Sequence, residues 1–179
     1  VLRSAGVKHL ENLFQGRPAV LVAAGPSLEK NVHLLRELQG RAVIIAADTT
    51  LRLLLPLEIK PDIVTTIDFN QANFGKFKNV PIDQDIALVY HPGGYYESIR
   101  AFHGPVFTSS KVPNRIPDWL MQYVDDKGSL PGGTTVAHLS FFLARHMGCN
   151  PIIFIGQDLA FPKNQVHASD LSLRNINTG

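Results

Sequence analysis

Short apolar runs of four or five residues alternate along the chain with longer stretches in which apolar residues recur every three or four positions. That rhythm marks strands joined by helical crossovers in a mainly parallel sheet. Six strands follow from it, at 19–23, 42–46, 62–66, 86–89, 106–108 and 151–155. The first crossover places Leu28, Val32, Leu35 and Leu38 on one helical face and stops at Gly40, where a left-handed cap is expected. The last crossover, over 134–147, is apolar almost all round and ends at Gly148, so it is expected to lie centrally and buried. Residues 1–16 read as an N-terminal helical extension, 17–170 as one α/β domain of Rossmann-like, three-layer type, and 171–179 as a polar tail cut from a larger protein.

Composition narrows the function. The 179 residues are 45% hydrophobic and 18% charged, enough for one substantial core. A formal charge of +2 is spread without any basic run, which argues against nucleic acid as a partner. The only cysteine, Cys149, excludes an internal disulfide and any multi-cysteine zinc site, as in a reducing cytoplasm. No run approaches the roughly 18 apolar residues of a membrane span.

In an open parallel sheet, ligands settle in the crevice at the carboxyl ends of the strands. The residues placed there are Gly25-Pro26-Ser27, Asp48-Thr49-Thr50, Asp68-Phe69-Asn70, His91-Pro92-Gly93-Gly94 and Gly156-Gln157-Asp158. The first fits neither G-x-G-x-x-G nor a P-loop, so it is neither a dinucleotide nor a lysine-clamped triphosphate turn. Gly25 permits close backbone approach, Pro26 presets a helical turn, and Ser27 either caps the helix or offers its hydroxyl to a ligand. Gly132-Gly133-Thr134-Thr135 sets a similar arrangement at the mouth of the last helix, whose free N–H groups and positive dipole end suit a phosphate or carboxylate. The same threonines are equally suited to capping alone, and Asp158 to holding its own turn.

Several of these blocks occur together in one known family. Ala24-Gly25-Pro26-Ser27-Leu28, Ala47-Asp48-Thr49-Thr50, Ile59-Lys60-Pro61-Asp62-Ile63-Val64, Gly132-Gly133-Thr134-Thr135-Val136-Ala137 and the run from Gly148 to Ala160 resemble the MptE-like domain of bacterial motility accessory factor glycosyltransferases. The resemblance spans residues 17 to about 168, and its last block, with Gly156-Gln157-Asp158-Leu159 after an apolar strand, is the most specific. It implies a cytoplasmic enzyme that transfers a CMP-activated nonulosonic acid to serine or threonine of flagellin without a cofactor. More distantly the chain is similar to bacterial sialyltransferases, with Ala24 where their cytidine-contacting asparagine stands. On this resemblance Gly25, Pro26 and Ser27 floor a nucleotide-sugar site and Asp48 and Thr49 reach ribose or base. Asp68 joins them at the strand ends, Gly133, Thr134 and Thr135 hold the phosphate, and Gly156, Gln157 and Asp158 orient the donor.

An acceptor hydroxyl needs a general base, and histidine is the usual one near neutral pH. His167 and His91, each beyond a strand-end turn, are the candidates; His138 and His146, on the last helix, read as structurally satisfied. Two other functions compete. An ATP- and magnesium-dependent 6-hydroxymethylpterin diphosphokinase would want paired carboxylates, whereas Thr66-Ile67-Asp68-Phe69-Asn70 offers one, so no metal site is expected. A non-catalytic nucleotide-sugar-binding module is the other.

Overall fold

The computed structural model describes residues 4–68, 82, 84–100, 102–109, 123, 125–131 and 135–159. Seven strands form one sheet: β1 (Ala5–Gly6), β2 (Ala19–Val22), β3 (Val43–Ala47), β4 (Ile63–Thr66), β5 (Ala87–Tyr90), β6 (Val106–Thr108) and β7 (Ile152–Ile155). Every pairing is parallel, in the order β1-β6-β5-β4-β3-β2-β7. The expected α/β fold is present. All six expected strands stand within a residue of their expected ends.

Alternation along each strand separates two cores. Ala19, Leu21, Val43, Ile45, Ile63 and Val89 face one side, where they meet Leu143, Ala144 and Met147 of helix α5 (Val136–His146). Val20, Val22, Ile44 and Ala46 face the other, against Leu28, Val32 and Leu35 of the first crossover and Leu54 of helix α3 (Leu51–Leu54). Burial on both faces is what the near-continuous apolar runs require, because a parallel sheet needs helices on each side.

The first crossover is three short pieces: α1 (Leu28–Asn31), a 3-10 turn (Val32–Leu34) and α2 (Leu35–Leu38). The break follows Asn31, whose φ of −122° leaves the helical range. Helix α4 (Tyr96–Arg100) follows β5. Gly40 and Gly148 both adopt the left-handed conformation expected of caps, at φ +75° and +78°. At Gly148 the Cys149 N–H reaches the Ala144 carbonyl and the Gly148 N–H reaches that of Arg145, the two bonds of a Schellman ending.

The N-terminal segment corrects one expectation. Residues 4–16 are not a helix but strand β1, a 3-10 turn (Val7–Leu10) and further turns. β1 pairs with β6, and the turns dock on the end of α5: Asn12, Phe14 and Gly16 donate to the carbonyls of His146, Met147 and Gly148. Tertiary pairing overrides a weak helical pattern here. Helix α5 lies centrally, as expected, yet buries chiefly Ser140, Leu143 and Ala144, while Phe141, packed against the core, and Phe142 stay half-buried.

Two side chains bonded to backbone tie strands together. Asp62, just before β4, accepts the Ile44 N–H on Oδ2 at 2.7 Å while its own N–H bonds the Ile44 carbonyl at 3.0 Å, so its side chain extends the β3–β4 ladder. The Thr50 hydroxyl donates to the Val22 carbonyl at 3.1 Å, tying the turn after β3 to the end of β2.

Candidate functional site

The chain runs outward from β2 through β3, β4 and β5 to β6 and then returns to place β7 on the opposite side of β2. The crossovers on either side of β2 therefore diverge over opposite faces, and a crevice opens at the carboxyl ends of β2 and β7. A cavity of about 430 Å³ occupies it. Its walls come from Leu21 to Gly25, from Ala47 and Thr49 after β3, from Thr135, Val136, Ala137 and Ser140 at the start of α5, and from Phe154 and Gly156 to Leu159.

The turns after β2 and β7 interlock at this point. The Gly25 N–H donates to the Gly156 carbonyl at 2.8 Å, and a Cβ on Gly25 would overlap that carbonyl and the Asp158 carboxylate. Gly156 has φ +68°, and a Cβ there would overlap the Ala23 carbonyl. Each glycine is needed because the other turn's backbone occupies the space of its side chain. Asp158 closes the junction, with Oδ2 accepting the Ser27 backbone N–H at 2.9 Å. The Ser27 hydroxyl, then its N–H, hold the Asp158 carboxyl below its ordinary value, aided by the nearby Lys30 against a small loss of hydration.

That lock answers what the Gly-Pro-Ser turn does. Ser27 makes no side-chain cap on its own helix, and the N–H that would greet a phosphate is already held by Asp158. A group whose folded pKa is depressed stabilises above its unfolded pKa and loses that stability as pH falls through the folded value. Wild type is therefore expected to exceed Asp158→Asn in melting temperature by a constant margin above about pH 5, with the margin shrinking towards stronger acid. Parallel melts from neutral to acidic pH check this; a margin independent of pH contradicts it.

The other expected site residues separate clearly. Gly25, Thr49, Thr135, Gly156, Gln157 and Asp158 line the cavity, and Pro26 and Ser27 continue its β2 turn. Asp48 does not line it and is only 1% exposed, with Oδ1 accepting the Thr49 N–H at 2.7 Å and Oδ2 the Thr66 hydroxyl at 2.8 Å. Its carboxylate braces β3 against β4. Asp68 follows β4 and its carbonyl accepts the Tyr95 N–H, while His91 follows β5 and accepts the Gly93 N–H on Nδ1 at 3.2 Å. At ordinary strand spacing, β4 and β5 stand about 10 and 14 Å from β2, and neither residue lines the cavity. Gly133, Thr134 and His167 lie outside the described residues.

At the mouth of α5, Thr135 is the N-cap: its Oγ1 accepts the His138 N–H at 3.3 Å and lies 3.1 Å from His138 Nδ1. His146 Nε2 is 2.9 Å from the Val7 carbonyl, so both helix histidines have partners, although His138 is exposed rather than partly buried. Ser140 and Phe154 also line the cavity, though neither belongs to a strand-end turn or helix mouth. Ser140 is 3% exposed, yet it lines the cavity; a lone hydroxyl in an apolar helix, five residues past the cap, was its only signal. Phe154 is 47% exposed and stacks on Phe141 at 5.9 Å. Among the described residues no group of three or more His, Cys, Asp or Glu side chains converges, and no helix is long and apolar enough to cross a membrane.

Comparison with known proteins bears on this geometry. The family model described as 6-hydroxymethylpterin diphosphokinase MptE-like matches residues 1–164. The chain belongs to the MptE-like family. It is 27% identical over 158 residues to the 6-hydroxymethyl-7,8-dihydropterin pyrophosphokinase of Methanocaldococcus jannaschii, an alignment covering 85% of this chain and 63% of that protein. The chain thus spans under two thirds of this relative's length. Its fold is similar to the MAf glycosyltransferase of Magnetospirillum magneticum AMB-1, with a TM-score of 0.68 and 20% identity over 84% of this chain and 26% of that one. The two similar proteins have different activities, a pterin pyrophosphokinase and a glycosyltransferase.

Proposed function

We propose that this MptE-like domain binds a CMP-activated nonulosonic acid and serves transfer of the sugar to serine or threonine hydroxyls of flagellin. The make-up of the cavity wall carries this reading: Thr49, Thr135 and Ser140 hydroxyls, backbone groups and the N-terminus of α5, with Asp158 as the one carboxylate among the described wall residues and already bonded to Ser27. An 11-residue helix has first-turn N–H groups without helical carbonyl partners, that of His138 capped by Thr135, and a partial positive charge at its start. That field suits one departing phosphate, whereas a magnesium polyphosphate site wants carboxylates directed at the ion.

In the reaction the acceptor oxygen bonds to the anomeric carbon, the bond from that carbon to the CMP phosphate oxygen breaks, and the hydroxyl proton passes to a base. CMP leaves towards the α5 N-terminus. With His91 apart from the cavity, His167 is the base we propose. His167→Ala is then expected to abolish transfer while leaving CMP affinity unchanged; loss of both together argues against a role confined to proton transfer.

The pterin pyrophosphokinase reading draws on the family description and on the Methanocaldococcus relative. Incubating the full-length protein with a CMP-nonulosonic acid and a flagellin peptide, and separately with ATP, magnesium and 6-hydroxymethyldihydropterin, distinguishes them. A peptide mass gain of one sugar with CMP release supports our reading. AMP release dependent on the pterin overturns it.

A further inference from the structure

We propose that Ser140 reads the base of the bound nucleotide, selecting a heterocycle with an exocyclic amino group, cytosine, over one with a carbonyl in the same position, uracil. This rests on the cytidine-nucleotide reading above and adds the residue that enforces it.

The Ser140 hydroxyl is buried among groups that fix where its proton goes. Ser140 Oγ is 3.0 Å from the Val136 carbonyl, one helical turn back, and 2.7 Å from Thr65 Oγ1 on β4. The Val136 carbonyl can only accept, so the Ser140 proton goes there. Thr65 has one proton and two acceptors in reach, Ser140 at 2.7 Å and the Ala46 carbonyl at 3.5 Å. The shorter contact takes it, since 3.5 Å is beyond the usual range. The run is then Thr65 O–H to Ser140 O–H to Val136 carbonyl. Ser140 has spent its proton and one lone pair, and what remains on its oxygen is a single acceptor.

That acceptor belongs to a side chain in the cavity wall. Because Thr65 is fully buried and Ser140 is 3% exposed, water has little access to reorganise the pair. A hydroxyl in bulk solvent reads donors and acceptors alike; this one is fixed as an acceptor by its neighbours. Cytosine offers an N4 amino donor, whereas uracil presents a carbonyl oxygen there, which would face the Ser140 lone pair without a proton between them. Phe154, in the same wall and half exposed, supplies an aromatic face for a planar base. Thr49 and Thr135 are left to the ribose and phosphate.

The test is calorimetric titration of the whole chain with CMP and with UMP. Wild type is expected to bind CMP at least about tenfold more tightly, as one good base contact implies. Ser140→Ala is expected to bring the two affinities within about twofold by weakening CMP and sparing UMP. Alanine is the better helix former, so the helix survives, and Ser140→Cys, which keeps the shape but accepts poorly, serves as a second variant with the same expected loss. Thr65→Val keeps the Ser140 oxygen an acceptor and should keep the preference. Equal wild-type affinities, or a Ser140→Ala preference as large as that of wild type, overturn the role of Ser140 while leaving the cytidine reading intact. Binding of 6-hydroxymethyldihydropterin and of neither pyrimidine nucleotide overturns the reading itself, and this inference with it.

Discussion

Gly156→Ala is expected to destabilise the domain by about 2–5 kcal/mol. A left-handed backbone at φ +68° costs an alanine about 1–2 kcal/mol. The added Cβ also overlaps the Ala23 carbonyl and comes within 3.1 Å of Leu28 Cβ, and overpacking of that kind costs about a further 1–3 kcal/mol. For a chain of this size each kcal/mol moves the melting temperature by about 2–4 °C, so the fall is on the order of 10 °C. Gly40 provides the control: it has φ +75° but nothing within 4 Å of its Cβ position, so Gly40→Ala should show the backbone cost alone. Equal losses in the two variants, measured by thermal melts, would show that the β2 and β7 turns are not interlocked.

The second large effect concerns binding without stability. Ala137 is half-buried in the first turn of α5 and lines the cavity. Leucine is close to alanine in helix propensity, so Ala137→Leu should leave the melting temperature within a few degrees of wild type. Its side chain projects into the space assigned to the nucleotide. A misfit worth about 1–3 kcal/mol corresponds to a loss of CMP affinity of roughly tenfold to hundredfold. Unchanged affinity would move the ligand elsewhere.

Six strands were legible because each is an apolar run punctuated by a turn; β2 to β5 bury nearly all of theirs, while β7, at the edge, leaves Ile153 and Phe154 half exposed. β1 was not, because two residues, Ala5 and Gly6, form no pattern and are strand only by pairing with Phe107 and Thr108. The strand-end turns identified which residues face the crevice but not which of them face a ligand. Ser27 and Asp158 are 131 positions apart, and nothing local in either turn says that each consumes the other's hydrogen-bonding capacity. Asp48 likewise looked like a ligand group and is a buried brace, because its partner Thr66 arrives from another strand. His91 failed to reach the cavity for a topological reason: strand order, not chain order, sets the distance between turns, and β5 is three strands from β2. Ser140 shows the converse, a residue with no motif whose meaning comes from Thr65 and Val136 around it.

On the proposed function, the crevice between β2, β7 and α5 takes a cytidine nucleotide without a divalent ion. Calorimetric titration of CMP into the protein in excess EDTA, set beside ATP with magnesium, distinguishes this from a magnesium-dependent polyphosphate site. Saturable one-to-one CMP binding that magnesium does not strengthen and that Ala137→Leu weakens is the expected result; ATP binding that requires magnesium, with no heat from CMP, would overturn the proposal.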